Sequence, residues 1–400
     1  MSKVVVIGAG ASGIIASLKA SKNNQVIILD SNDKCGKKIL LTGNGRCNYW
    51  NSDLNIENYE SDNKEALGKI ISKENTQEVF EFLYNIGLYP KIKNGYYYPY
   101  SNQASSVREI FQKELENSNI KFITNFKVKD ILKSGNGFNI ISTSGNIVKA
   151  DKVIIATGSK SFPKTGSDGS GYYLAEKLGH KVNPVYPALT SLKSSTKNDW
   201  ENIRCDAKVS LFIDDKKVKE DIGEIQLTKT GISGICVFNI SGVASKKIGI
   251  SNKVEVSINF LPYLESDFYT WFDCRNKKIR NKTIEELLES IFNYKLIFLL
   301  LKKSNISREA RWEDLSEKEK RNLSEQIENF RLKIVDTESF EKSQVCTGGI
   351  SLNEINPITM ESNIVPNLYF SGEILDVDGK CGGFNLAFAF ISGYLAGRSI

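Results

Sequence analysis

At 400 residues the chain exceeds the ~250–300 that one hydrophobic core serves, so more than one domain is expected. A hydrophobic fraction of 40%, 25% charged residues and 30 glycines exclude a disordered chain. The net charge of +6 is too mild over this length to argue a nucleic-acid partner by itself, and no apolar run approaches the ~20 residues that span a bilayer.

The first predicted element is the β-branched run Lys3–Ile7, which suits a strand buried on both faces of a parallel sheet. Gly8-Ala9-Gly10-Ala11-Ser12-Gly13 follows. In this G-x-G-x-x-G spacing Gly8 permits a tight turn, Gly10 lets a pyrophosphate approach the backbone, and Gly13 lets helix and strand pack closely. The helix starting at Ala11 and Ser12 aims free N–H groups at the phosphates. A second strand, Gln25 to Leu29, ends at Asp30, 17 residues past Gly13, close to the ~20 expected of a ribose-binding acid. The run Lys3 to Ala20 could pass for a signal peptide, but its glycines belong to this motif. A cytoplasmic chain is expected.

The motif does not choose between a nicotinamide and a flavin; later segments favour flavin. Asp151 to Ile155 is another buried strand, ending in Ala156-Thr157-Gly158. The run Tyr172 to Leu178 reads as helical, with Gly179 and the single His180 as its exit. From about Leu189 to Phe260 the pattern alternates, as in Val209, Leu211 and Ile213, which suggests an antiparallel sheet or small barrel. From Asp273 to Val335 the period is helical. Thr283/Glu286 and Ser316/Glu319 form capping-box patterns, and Phe330 falls in the second helix's apolar stripe. The basic stretch Arg275 to Lys282 reads as solvated surface. A strand over Asn367 to Ser371 then ends in Gly372-Glu373, and Gly382-Gly383-Phe384-Asn385 opens an apolar helix to about Gly397.

With these segments in view the chain resembles the BaiN-like, or aminoacetone-oxidase-like, bacterial FAD flavoproteins. The most specific segment is Lys38 to Asn48, similar to the family's K-x-L-x-T-G-x-G-R-C-N loop and carrying Thr42, Gly43, Gly45, Arg46 and Cys47. Its glycines, amide and arginine suit a pyrophosphate or the flavin ring. Further matches are Phe162 to Ser167, Thr347 to Ile350, Thr359 to Ser362 and Gly372 to Gly379, the last including Asp376. Val128 completes the expected cofactor contacts. Two departures stand out: Lys229 and Ile235 replace the histidine and proline of T-H-x-G-x-S-G-P, and Asp168 is shifted within Gly166 to Gly171.

The expected fold is α/β: a Rossmann-type FAD-binding domain (1–188 and 342–400), an inserted barrel-like antiparallel domain (189–265 and 332–341) and a helical subdomain (266–331). The expected function is an FAD-dependent oxidoreductase passing electrons to a small organic substrate or oxygen. No second G-x-G-x-x-G is present, so NAD(P)H would visit as a transient donor. Alternatives are an RNA-directed flavoprotein that modifies a nucleobase and a flavin-holding sensor without turnover. Seven cysteines without C-x-x-C spacing read as reduced thiols, Cys47 among them as structural. One histidine argues against His-rich metal sites and the usual Ser-His-Asp machinery, and no metal is expected. No catalytic acid or base is assigned.

Overall fold

The computed structural model describes all residues except 196–199, 201, 277–278 and 280. The middle of the basic stretch Arg275 to Lys282 therefore lies outside the described residues. The chain forms two compact units, one of Met1–Pro187 with Phe340–Ile400, the other Ala188–Ser339.

The first unit is built on a five-stranded parallel sheet in the order Leu368–Phe370, Lys152–Ile155, Lys3–Ile7, Gln25–Leu29, Ile120–Ile123. The opening strand is central because its Val4, Val5 and Val6 have no solvent-facing side. The chain leaves it toward one edge and returns on the other, so the carboxyl end of Lys3–Ile7 is a topological switch point, where such sheets bind ligands. The helix Ala11–Ala20 crosses there and packs along the closing helix Phe384–Arg398. A Cβ at Gly393 would meet the Ser12 carbonyl oxygen at 2.3 Å, and one at Gly397 the Ala16 carbonyl oxygen at 2.3 Å. The four-residue spacing of these glycines is what lets the two backbones touch.

Residues 50 to 117 carry none of the predicted elements. They form helices Lys64–Ile70, Lys73–Asn85 and Ala104–Asn117 and a small antiparallel sheet ordered Trp50–Asn51, Tyr96–Pro99, Pro90–Lys93. Asn94 and Gly95, at φ 51° and 79°, make the hairpin turn.

The second unit contains a closed six-stranded barrel: Leu192–Ser194, Gly231–Gly234, Lys216–Thr228, Ile203–Ile213, Val254–Asn259, Phe330–Thr337. The alternation of Val209, Leu211 and Val256 with outward residues is the barrel interior, where all three are fully buried. Asp214 and Asp215 turn the long hairpin at φ 47° and 64°. Both capping boxes form, each serine or threonine accepting the third amide while the glutamate returns to the cap. Phe330 departs from expectation: the helix ends at Glu328, and Phe330 opens a barrel strand, its burial being supplied by Trp200 and Phe260 rings rather than by the helix. No helix among the described residues is long and apolar enough to cross a membrane.

Candidate cofactor site

The three motif glycines do different work. A Cβ on Gly8, at φ 107°, would meet the Ala156 carbonyl oxygen at 2.4 Å, and one on Gly13 the Gly8 carbonyl oxygen at 1.9 Å. These two close the turn onto the next strand and onto itself. A Cβ on Gly10 would meet nothing within 4 Å, so the middle glycine borders open space. That is the room a pyrophosphate needs against the helix start, where Ala11 and Ser12 present amides. Ser12 also donates through Oγ to the Ser371 carbonyl at 3.3 Å.

Asp30 Oδ2 accepts the Ala9 amide at 2.6 Å, and Oδ1 accepts the Asn32 amide at 2.7 Å. The acid therefore holds the glycine turn from the tip of the second strand. The Gly36 amide donates to the Ala9 carbonyl at 2.8 Å and brings the next segment alongside. There Gly43, Asn44, Gly45 and Cys47 are all left-handed, at φ 54°, 53°, 81° and 58°. Thr42 fixes the entry, donating through Oγ1 to the Ile39 carbonyl at 2.6 Å and accepting the Cys47 amide at 3.0 Å. Gly43 through Arg46 are exposed, while Cys47 is fully buried. Burial pushes the Cys47 thiol up to about 11, so it stays protonated at neutral pH.

Lys38 lies under this loop. Its Nζ meets Glu373 Oε2 at 2.8 Å, Ser161 Oγ at 2.9 Å and Ser167 Oγ at 3.1 Å. Ser159 donates to the same Glu373 oxygen at 3.2 Å. This mostly buried pair joins residues 335 positions apart. Gly372 donates its amide to Ser392 Oγ at 2.9 Å, and a Cβ there would strike Ser12 Oγ at 2.4 Å. Gly158, at φ 75°, faces Ser167 in the same way. Asp376 is buried and accepts the Gly348 amide at 3.1 Å and the Asn183 side chain at 2.7 Å, which makes it a tie within the scaffold. Val128 begins the strand Val128–Ser134 and is buried.

The closing helix starts at Phe384 with no side-chain cap, so its first amides have no intrahelical acceptor. Its start is pressed onto the loop: a Cβ on Gly383 would meet the Trp50 carbonyl oxygen at 2.5 Å and the Asn48 side chain at 2.8 Å. The Asn48 amide sits between the Tyr97 and Trp50 carbonyls, 3.1 Å from each. Asn385 clamps Gly379 by both edges, each at 2.8 Å. Gly382 lies against the ring of Tyr96, 2.5 Å from a Cβ built there.

Two buried hydroxyls at the carboxyl edge of neighbouring parallel strands, Thr157 Oγ1 and Ser371 Oγ, have no hydrogen-bond partner. Buried polar groups are seldom left so. Orphaned hydroxyls, open space at Gly10, exposed left-handed amides and an uncapped helix start make a donor-rich set that fits a dinucleotide cofactor.

The sequence reading missed Tyr96 and Tyr98. Arg46 lies over the Tyr98 ring, 5.5 Å from its centroid, and Tyr96 borders Gly382. The signal was present as Asn94-Gly95 between Lys91–Lys93 and three tyrosines, a hairpin signature. His180 also does more than end a helix. Its ring is buried between Ser362 Oγ at 2.8 Å and Glu354 Oε2 at 3.0 Å. The order Ser-His-Glu is that of a hydrolase triad, yet Ser362 Oγ already accepts the Ile364 and Val365 amides at 3.0 and 2.8 Å and is buried. With its acceptor sites taken, the hydroxyl donates to Nε2. The arrangement is a structural knot packed edge-on to Phe370.

The HI0933-like protein Rossmann domain family matches residues 2–399. The chain is 40% identical to a 3-dehydro-bile acid delta(4,6)-reductase of Clostridium scindens, over all of this chain and 99% of that protein. It is 27% identical to a ribosomal RNA dihydrouridine synthase of Escherichia coli, over 99% of this chain and 97% of that one. Its fold is similar to the open conformation of a flavocytochrome c3 fumarate reductase, with TM-score 0.52 and 14% identity over 100% of this chain and 78% of that one. The chain belongs to the HI0933-like Rossmann family and is an enzyme of the FAD-dependent oxidoreductase kind.

Proposed function

We propose that this family member reduces a carbon–carbon double bond conjugated with a ring carbonyl, with NAD(P)H as the transient electron donor. The names of the two curated relatives support that reaction class. A delta(4,6)-reductase acting on a 3-dehydro-bile acid and a synthase making dihydrouridine both saturate an electron-poor bond in conjugation with a carbonyl. Each reduction adds a hydride at an electron-poor end of the conjugated system, the carbon β to the carbonyl in an enone or uracil and the δ carbon for the far bond of a dienone, and a proton to the neighbouring α or γ carbon of the same bond. FAD, when bound, supplies the hydride.

The residues that would hold FAD are those of the glycine turn from Gly8 to Gly13, Asp30, the loop Thr42 to Asn48, and Gly372 to Asn385. The observation that carries the reading is the open space at Gly10, between packed glycines and beside the exposed loop. The uncapped start of Phe384–Arg398 favours negative charge at that end of the site. Lys38 and Glu373 neutralise one another and tie the loop to the closing segment, which gives the site a fixed wall. Arg46 presents a permanent positive charge for polarising the carbonyl oxygen of the substrate, and Tyr98 beneath it carries the O–H that returns the proton. No second dinucleotide motif holds the donor, so a nicotinamide and the substrate take turns on one open face.

The test is spectroscopic. Purified protein should be yellow, bleach anaerobically with NADH or NADPH, and regain its colour when a 4,6-dien-3-one steroid or another ring enone is added, with the saturated product formed. Colour that returns only on admitting oxygen would argue for an oxidase instead. A colourless protein that takes up no added flavin would end the reading.

A further inference from the structure

Arg108 is the fifth residue of the helix Ala104–Asn117. Through Ser118 and Asn119 that helix leads into the strand Ile120–Ile123, which pairs in parallel with Gln25–Leu29. A helix joined so closely to the strand it precedes runs back against it. Its first turns therefore lie at the carboxyl edge of the sheet, where the glycine turn sits. Helical side chains lean toward the helix N-terminus, which carries the Arg108 guanidinium further toward that edge.

The helix packs on the segment Lys37–Gly45 and on Ala11–Ala20. The Arg108 stem lies against Gly36, where an added Cβ would meet Arg108 Cγ at 3.1 Å. The amide of the same Gly36 donates to the Ala9 carbonyl at 2.8 Å, inside the glycine turn. Arg108 and Asp30 also act on one side chain: burial lifts the Cys35 thiol above its ordinary value, Arg108 pulls it down and Asp30 adds to the rise. Arg108 is half-buried and its Nε is enclosed. Among the described residues its guanidinium has neither a hydrogen-bond acceptor nor a carboxylate partner. The cations nearby in sequence to Gly36 are placed differently: Lys37 meets Asp33 at 2.9 Å and Lys38 meets Glu373 at 2.8 Å, so each is already neutralised. A guanidinium is always charged, and an enclosed one without a counter-charge is costly.

We propose that Arg108 is a further cofactor-binding residue, its guanidinium meeting the diphosphate of FAD alongside the amides at the start of Ala11–Ala20. The proposal rests on the FAD reading above and adds what the glycine turn lacks. Amides and a helix start offer partial charges, whereas a diphosphate carries full negative charges, and the planar fork of arginine matches its oxygens in pairs. Sites preorganised for a ligand commonly lower stability in this way.

The test uses the full-length protein stripped of flavin, with FAD binding followed by quenching of flavin fluorescence and ADP titrated as a competitor for the same site. Arg108→Met keeps an apolar stem and removes the charge. It should weaken FAD and ADP alike, by about tenfold to a hundredfold, the range of charge-assisted hydrogen bonds. Arg108→Lys keeps the charge without the fork and should lose about threefold to tenfold. The flavin-free melting temperature of Arg108→Met should equal or exceed that of wild type, because an enclosed charge without a partner has been removed. Arg108→Met that binds FAD as wild type does, binds ADP undiminished, or melts well below wild type overturns the proposal. Failure of the FAD reading looks different: wild type itself then takes up neither FAD nor ADP, which ends the proposal together with that reading.

Discussion

The loop Thr42 to Asn48 and the knot around His180 are both irregular backbone within one unit, and they are built on opposite rules. At the knot each group is satisfied: Ser362 accepts two amides and donates once, and His180 uses both ring nitrogens. In the loop, three consecutive left-handed residues lie exposed, with Gly10 beside open space and buried hydroxyls without partners nearby. Left-handed non-glycine backbone costs on the order of 1–3 kcal/mol and persists where the surroundings impose it. A hydrogen-bond inventory thus separates the knot from the candidate binding site more sharply than burial or charge does.

The motif glycines give the largest effect and the strictest contrast. Gly13→Ala puts a methyl 1.9 Å from the Gly8 carbonyl oxygen, so the variant is expected to lose folded yield or many degrees of melting temperature. Gly10→Val meets no protein atom within 4 Å at its Cβ and should leave the flavin-free melting temperature within a few degrees. Its flavin content after purification should fall about a hundredfold. Equal effects of the two substitutions on stability would erase the distinction between packing and binding glycines.

The Lys38–Glu373 pair comes next, because it joins the loop to the closing segment. Lys38→Met leaves Glu373 with Ser159 as its remaining hydrogen-bond donor in a mostly buried place. Breaking such a pair costs ~3–5 kcal/mol when fully buried. With both side chains partly exposed, about 2 kcal/mol is expected by chemical denaturation. The double variant Lys38→Met, Glu373→Leu should recover part of that stability but not the flavin affinity. Full recovery of both would make the pair a scaffold element like the knot.

How far the sequence disclosed this site depends on whether the signal was local. The glycine turn between strand and helix and the capping boxes at Thr283 and Ser316 were legible because each is written in neighbouring residues. The barrel alternation was legible for the same reason. Phe330 was misplaced because a phenylalanine three residues past Ile327 satisfies a helical stripe, and only the barrel shows that it belongs to a strand. The contacts Lys38–Glu373, Asn48–Gly383 and Ser362–His180 join distant segments, and no periodicity encodes them. Tyr96 and Tyr98 went unnoticed although the Asn-Gly turn announced their hairpin, because their meaning depends on which loop the hairpin faces.

A smaller effect tests the closed side of the comparison. Burial holds the His180 imidazole below its ordinary pKa, against the opposing pull of Glu354. The Ser362 proton directed at Nε2 favours the same neutral form. A histidine depressed on folding binds fewer protons in the native state than in the unfolded one, so its contribution is complete above the ordinary value near 6.5 and is lost as pH falls through the folded pKa. Melting temperature should therefore drop between pH 7.5 and 5.5, and His180→Gln should flatten that slope. The same substitution should cost ~1–3 kcal/mol at pH 7.5 through the bonds it leaves unmade. A slope that survives the substitution would place the acid sensitivity elsewhere.

Cys47 belongs to both regions at once: its backbone, at φ 58°, is part of the strained loop, while its side chain is fully buried like those of the knot. Its position in the loop proposed to hold the cofactor invites a reactive role; its surroundings argue against one. A thiol raised to about 11 is almost wholly protonated at pH 8, and a protonated, enclosed sulfur does not attack. Iodoacetamide at pH 8 should label the exposed Cys274 and leave Cys47 untouched in the folded protein. Cys47→Ser should keep its bound FAD and its turnover within about twofold, with ~1 kcal/mol or less lost in stability, because the hydroxyl still has Thr42 as a hydrogen-bond partner. If that variant held FAD normally but ceased to turn over, the sulfur would belong to the chemistry, and the line between strained, open backbone and satisfied interior would no longer run through this residue.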